Sequence, residues 1–229
     1  MSDVVIVVPV KDEETGLEFL IDDFADSRIS EDYQIEFVFV IDERTSDNSR
    51  LFASRLSSHI IDQMGSHGKG AAMNQAITNL SVMSYNFVIF LDADGSYSFN
   101  GVKEVLKALE GGADVVSGSR FLNSSGRPEG MSLMHTFGNR ILSKISSIRN
   151  KRKISDLCTG LWGFTSSSID SIKIESKGFD LEAEIAGRVR RKGFRHIEVP
   201  VSWSQRKGGT SKLRSIRDGA IILFRIIRT

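Results

Sequence analysis

Short apolar runs rich in β-branched residues alternate along this chain with segments of helical period, and that alternation limits the fold more than any other feature. Val4 to Val8 is continuous and apolar, the pattern of a strand covered on both faces. Pro9 is expected to end it. Glu13 to Phe24 follows with Leu17, Leu20, Ile21 and Phe24 on one helical face. Further strands are expected at Ile35–Ile41, Ile60–Ile61 and Phe87–Leu91, and from Val115-Val116 to an end at Gly118-Ser119-Arg120, with helices near Leu51–Leu56, from Gly68 to Leu80, and over Phe99–Leu109. This order predicts an α/β fold: a mainly parallel, Rossmann-like sheet with helices on both faces. Ligands of such sheets bind beyond the carboxyl ends of the strands. Beyond Arg120 the pattern loosens. Phe121–Met134 reads as a loop, Phe137–Ile148 and Phe179–Arg191 as helices, Ile197–Trp203 as a strand, Gly208-Gly209 as a flexible loop, and Ile216–Ile227 as a last helix.

The chain's 229 residues suit one large domain, and 40% hydrophobic residues supply a core. Lys+Arg number 30 against 29 Asp+Glu, so overall charge selects no partner. Its distribution is uneven: from Arg188 onward twelve Lys/Arg face two acids, which suits phosphates or anionic lipid. The single cysteine, Cys158, forms no internal disulfide and favours a reducing, intracellular setting. The N-terminus reads as a buried strand rather than a signal peptide. No stretch approaches the roughly 20 apolar residues of a membrane-spanning helix.

Polar clusters follow the strands. Asp92-Ala93-Asp94 closes an apolar run. Two carboxylates two residues apart at a strand end suit one hard cation, Mg²⁺ or Mn²⁺, shared with a diphosphate; alone, they are equally an ordinary acidic turn. Pro9-Val10-Lys11-Asp12-Glu13 and Asp42-Glu43 offer acceptors for a base and a ribose, or merely a helix N-cap at Asp12. Gly68-Lys69-Gly70 before a helix suggests a phosphate cradle without Walker spacing. Arg206 to Lys212 combines two glycines with three cations, a loop able to close on a diphosphate.

Taken in order, P-V-K-D-E at Pro9–Glu13, I-D-E-R-T-S-D at Ile41–Asp47, G-K-G at Gly68–Gly70, D-A-D-G-S-Y at Asp92–Tyr97, G-S-R at Gly118–Arg120, D-L-C-T-G-L-W-G-F at Asp156–Phe164, G-F-D-L-E-A-E at Gly178–Glu184 and V-P-V-S-W-S-Q-R-K-G-G-T-S-K-L at Val199–Leu213 resemble the family 2 glycosyltransferases with the A-type nucleotide-sugar fold. The branch they most resemble is the dolichol-phosphate mannose synthase-like one. The resemblance implies an inverting transfer of a hexose from a GDP- or UDP-sugar to a polyprenyl or dolichyl phosphate. It implies that Pro9, Lys11, Glu13 and Asp42 line the nucleoside pocket, with Lys69 and Ala93 also at the donor. It places Asp92 and Asp94 at the metal and Arg120, Arg206 and Lys212 at phosphates. Glu182 would face the sugar or acceptor, and Asp94, Glu182 and Arg120 form the expected catalytic set. The chain departs from the family pattern at Lys11-Asp12, Glu43-Arg44-Thr45 and Gly95-Ser96, which leaves glucose or another hexose open beside mannose.

A lipid phosphate is already anionic and needs steering rather than a strong base; a hydroxyl acceptor needs one, with Glu182 or Asp156 as candidates. The expected organisation is a catalytic domain over 1–213, with a nucleotide-sugar half at 1–120 and an acceptor half at 121–213, then a basic amphipathic helix at 214–229. That helix, the cluster Lys144, Arg149, Lys151, Arg152 and Lys153, and the apolar Met131, Leu133, Met134 and Phe137 suggest a cytoplasmic protein lying peripherally on the inner face of the cell membrane. Alternatives are a soluble transferase acting on a glycan hydroxyl, a noncatalytic nucleotide-sugar sensor and a nucleotidyltransferase. A nucleic-acid partner is not expected, because aromatics do not interleave with the cations.

Overall fold

The computed structural model describes residues 2–57, 59–81, 83–122, 126–208 and 215–229. Seven strands form one sheet: β1 (Ser2–Val10), β2 (Tyr33–Asp42), β3 (Ile60–Gln63), β4 (Phe87–Leu91), β5 (Val115–Ser119), β6 (Leu161–Thr165) and β7 (His196–Pro200). The helices are α1 (Glu14–Ser27), α2 (Ser49–Leu56), α3 (Lys69–Leu80), α4 (Phe99–Glu110), α5 (Leu133–Asn150), α6 (Ser166–Asp170), α7 (Leu181–Lys192) and α8 (Ser215–Arg228). The order across the sheet is β3-β2-β1-β4-β6-β5-β7. All pairings are parallel except those of β6, which runs antiparallel to both β4 and β5.

Both faces are covered, as the continuous apolar runs predict. Val4, Ile6 and Val8 enter one core with Leu17 and Leu20 of α1 and Val102, Val105 and Leu106 of α4. Val5 and Val7 enter the other with Met73 of α3, Ile185 and Val189 of α7, and Ile222 and Ile226 of α8. The period of two sends successive side chains to opposite cores.

Some boundaries depart from the sequence reading. Pro9 lies inside β1 rather than ending it. The pairing of β1 with β4 stops at Val7 while that with β2 continues to Val10, so Pro9 sits where only one neighbour remains, a position that tolerates a missing N–H. β6 and α6 were not anticipated. Gly163 of β6 leaves room for α4, since a Cβ there would stand 2.3 Å from Val105 Cγ1. β7 stops at Pro200, and Trp203 makes only an isolated bridge to Tyr97.

The helix expected from Phe137 begins at Leu133, where the Ser132 side chain accepts from the His135 amide. Its polarity is inverted. Thr136, Asn139, Ser143, Ser146 and Asn150 are buried, whereas Leu133, Met134, Phe137, Ile141 and Ile148 are exposed. The inward groups find partners: Asn139 Nδ2 donates to Asp156, and Ser143 Oγ accepts from the Leu157 amide. α8 packs against α5 and α7, burying Ile222 and Ile226 while exposing Ile216, Ile221, Phe224 and Ile227. Among the described residues no helix is long and apolar enough to cross a membrane.

Candidate active site

A cavity of about 470 Å³ opens at the carboxyl edge of β1, β2 and β4. Of the residues singled out in the sequence, Pro9, Lys11, Glu13, Asp42, Lys69, Asp92, Ala93, Asp94, Arg120, Glu182 and Arg206 all line it. Lys212 and the neighbouring Gly209 lie outside the described residues.

At the β1–β2 end, Asp42 is buried, and the Arg44 guanidinium closes on it with Nε 2.8 Å from Oδ1 and Nη2 2.7 Å from Oδ2. That pair holds the Asp42 carboxyl well below the usual carboxylate range. Lys11 Nζ stands 3.8 Å away. Asp12 does not cap α1: with φ +48° it turns to accept from the Ser46 amide, and Asp47 accepts from the Glu14 amide instead. The loops after β1 and β2 are thereby tied together.

At the centre, Lys69 Nζ lies 2.7 Å from Asp92 Oδ1 and 2.7 Å from Glu182 Oε1. The glycines around it allow this meeting. A Cβ on Gly68 would stand 2.4 Å from the Lys177 carbonyl oxygen, and one on Gly70 would stand 2.4 Å from that of Ser176. The segment before α7 thus passes against the start of α3, where Ala71 N donates to Lys177 O, and this carries Glu182 to Lys69. The glycines of the G-K-G turn pack against the chain before α7, and the Lys69 ammonium meets two acids in the cavity wall. Burial alone would push Lys69 down, but the two carboxylates outweigh it and hold the ammonium above its ordinary range. Burial also pushes Asp92 and Glu182 up, against the pull of the shared ammonium.

Asp94 accepts from the Ser96 amide at 3.0 Å through Oδ1. Its Oδ2 is 3.9 Å from Arg206 Nη1, and Arg206 also pairs with Glu13. The strand end is fastened by Lys207 N donating to Asp94 O and Ser204 N donating to Ser96 O. Arg120 lies on Asp156 and donates also to the Cys158 carbonyl oxygen. Asp156 is fully buried, and both its oxygens are taken by Arg120 and Asn139. It therefore positions Arg120 and has no oxygen free to act as a base.

Sequence reasoning assigned no role to Arg44 beside Asp42, to Gly160, or to the apolar lining residues Phe179, Trp203 and Ile222. A Cβ on Gly160 would stand 1.9 Å from Asp92 Oδ2. The glycine inside D-L-C-T-G is the visible signal for that contact. Burial, with Glu182 and Asp156 nearby, pushes the Cys158 thiol up to about 12, so little of it is thiolate near neutral pH.

Acids and cations thus gather at the carboxyl edge of a mainly parallel sheet, where ligands of such sheets bind. The chain belongs to glycosyl transferase family 2, whose model matches residues 5–173, and it is a glycosyltransferase. It is 30% identical over 226 residues to glycosyltransferase AglJ of Haloferax volcanii, covering 98% of this chain and 71% of that protein. It is 23% identical over 221 residues to polyprenol monophosphomannose synthase of Mycolicibacterium smegmatis, covering 91% and 80%. Its fold matches glucosyl-3-phosphoglycerate synthase from Mycobacterium tuberculosis, solved with Mn²⁺, UDP and phosphoglyceric acid, with a TM-score of 0.72 at 14% identity, covering 99% of this chain and 76% of that one. The A-type glycosyltransferase fold expected from the motifs is the one observed.

Proposed function

We propose that this glycosyltransferase moves a hexose from a nucleotide diphosphate sugar to a polyprenyl phosphate. The observation that carries the reading is a cavity whose lining mixes two chemistries. Lys11, Glu13, Asp42, Asp92, Asp94 and Arg206 line it together with the apolar Phe179, Trp203 and Ile222. His135 of α5 lines it as well, and the outward face of that helix carries Leu133, Met134 and Phe137. A lipid phosphate has the same two-part chemistry.

The donor's base and ribose would meet Pro9, Lys11, Glu13 and Asp42, and its diphosphate would meet Arg206, Lys212 and Arg120. Among the described residues no cluster of three or more His, Cys, Asp or Glu holds a metal by itself. Mg²⁺ and Mn²⁺ bound with a nucleotide need only one or two carboxylates, the rest coming from phosphates and water. Asp92 and Asp94 fit that demand as hard oxygen donors two residues apart. When bound, the metal would neutralise charge on the departing diphosphate. The relative of this fold bound to Mn²⁺ and UDP supports this, and the relative named polyprenol monophosphomannose synthase supports the acceptor.

The acceptor phosphate would attack the anomeric carbon opposite the leaving group, steered by the cations, with inversion. Glu182 would face the sugar or acceptor from α7. In this reading residues 1–120 serve the donor and 121–213 the acceptor. The inverted helix α5 and the exposed side of α8 rest on the inner membrane leaflet, with Lys144, Arg149, Lys151, Lys153, Arg217 and Arg228 near anionic headgroups.

The test is incubation with radiolabelled GDP-mannose or UDP-glucose, Mn²⁺ and a polyprenyl phosphate. Label moving into the organic phase as a mild-acid-labile product supports the reading. Label moving only onto a water-soluble hydroxyl acceptor replaces the lipid by a glycan.

A further inference from the structure

We propose that Lys69 is an internal counter-ion that holds the cation position between Asp92 and Glu182 until the donor arrives, so that metal and nucleotide bind together rather than separately. This rests on the metal reading given above and adds the order of binding.

The geometry is specific. Asp92 ends β4 and Glu182 sits in the first turn of α7, yet one ammonium reaches both at 2.7 Å. The Lys69 side chain is 15% exposed and that of Glu182 9%, so solvent contributes little to satisfying them. Asp92 Oδ1 takes Lys69, while Oδ2 faces Gly160 and the side chain is 29% exposed. A divalent cation bound through Oδ1 shares that oxygen with the ammonium or displaces it.

Charge count decides which outcome is favoured. Lys69 is shared by two carboxylates, Asp92 and Glu182. That trio carries one negative charge in excess, so it attracts a further cation. That ion would nevertheless lie beside Lys69 in an enclosed site, where repulsion between neighbouring cations is much less screened than in water. A diphosphate relieves the conflict. It brings negative charge, ligates the metal, and gives the ammonium a third acceptor. Lysine suits the role because its point charge sits on a flexible four-carbon stem and can leave Asp92 while staying on Glu182.

The experiment measures Mn²⁺ binding to the full chain by the EPR signal of free Mn²⁺, with no sugar donor and no turnover. It is run alone and with UDP or GDP, on wild type, Lys69→Met, Lys69→Arg, Glu182→Gln and Asp92→Asn. Wild type is expected to bind Mn²⁺ at least tenfold tighter when the nucleotide is present. Lys69→Met should bind Mn²⁺ alone at least tenfold tighter than wild type and lose most of the nucleotide dependence, whereas Lys69→Arg should keep it. Glu182→Gln leaves the ammonium to Asp92 alone and should weaken Mn²⁺ binding in the absence of nucleotide. This gives a change of opposite sign that stands even where Lys69→Met fails to fold. Unchanged or weaker Mn²⁺ binding in folded Lys69→Met, or unchanged binding in Glu182→Gln, overturns the proposal. Undiminished Mn²⁺ binding in Asp92→Asn would instead overturn the metal reading itself, so the two failures are distinct.

Discussion

The guanidinium of Arg120 lies along the carboxylate of Asp156, with Nε 2.6 Å from Oδ2 and Nη2 2.7 Å from Oδ1. Asp156 is wholly buried and comes from the segment before β6, so this pair joins the end of β5 to the second half of the chain. Breaking a buried pair leaves a charge without a partner, at about 3–5 kcal/mol. Asp156→Ala is expected to lose that much in urea unfolding and to release Arg120 from the cavity wall. A variant as stable as wild type would show that the pair does not hold the two halves.

Gly160 tests the packing behind the acids. A Cβ there would meet Asp92 Oδ2 at 1.9 Å, so the carboxylate must move. Overpacking of this kind costs roughly 1–3 kcal/mol. Gly160→Ala should lower the melting temperature and, in Mn²⁺ titrations with nucleotide, weaken binding by about tenfold. Normal Mn²⁺ affinity would mean that Asp92 needs no fixed orientation.

His196 sets a pH dependence. Its ring stacks on Trp162 at 5.4 Å, and its Nε2 lies 2.9 Å from Ser117 Oγ. Burial, with Arg152 adding to it, pushes its pKa down to about 3. In the unfolded chain the ring takes a proton near pH 6.5; in the folded chain it does not until about 3. This contribution is therefore fully present above about pH 6.5 and is lost as pH falls, by at most about 1.4 kcal/mol per unit. His196→Gln should flatten the acid limb of a plot of stability against pH between 6 and 4. An unchanged limb would assign that loss to other groups.

The outward face of α5 makes a separate prediction. Phe137 is 69% exposed and Leu133 73%. The protein should float with vesicles containing anionic lipid at low salt, and Leu133→Ser with Phe137→Ser should reduce the bound fraction several-fold without a change in circular dichroism. Each buried apolar side chain contributes on the order of 1.5–3 kcal/mol. Equal flotation of the double variant would remove α5 from the membrane contact.

What could be read in advance follows from which physical signals are local. The apolar runs at Val4–Val8, Ile35–Ile41 and Phe87–Leu91 name strands covered on both faces, and the carboxyl ends of the last two place Asp42, Asp92 and Asp94 at one edge. β6 was not legible because Leu161-Trp162-Gly163-Phe164-Thr165 carries a glycine that a strand pattern does not expect. That glycine answers to α4, a contact distant in sequence. The helix expected at Phe137–Ile148 runs over Leu133–Asn150, and its inward polar face was not legible because the partners of its Asn139 and Ser143, Asp156 and the Leu157 amide, lie beyond its end in the sequence. Partners of charge are equally non-local: that Lys69 would meet Glu182, 113 residues away, depends on the Gly68 and Gly70 contacts with the segment before α7.

The central claim is that Asp92 and Asp94 share a divalent cation with the donor's diphosphate. Isothermal titration of UDP-glucose and GDP-mannose, with and without Mn²⁺, into wild type and Asp94→Asn tests it most directly. Asp94→Asn keeps the Oδ1 bond from the Ser96 amide and should fold as wild type does. The account predicts that Mn²⁺ tightens one sugar nucleotide at least tenfold in wild type and leaves its affinity unchanged in Asp94→Asn, with turnover down by about 100-fold or more. Donor affinity that ignores Mn²⁺ in wild type, or an equal Mn²⁺ effect in both proteins, would contradict it.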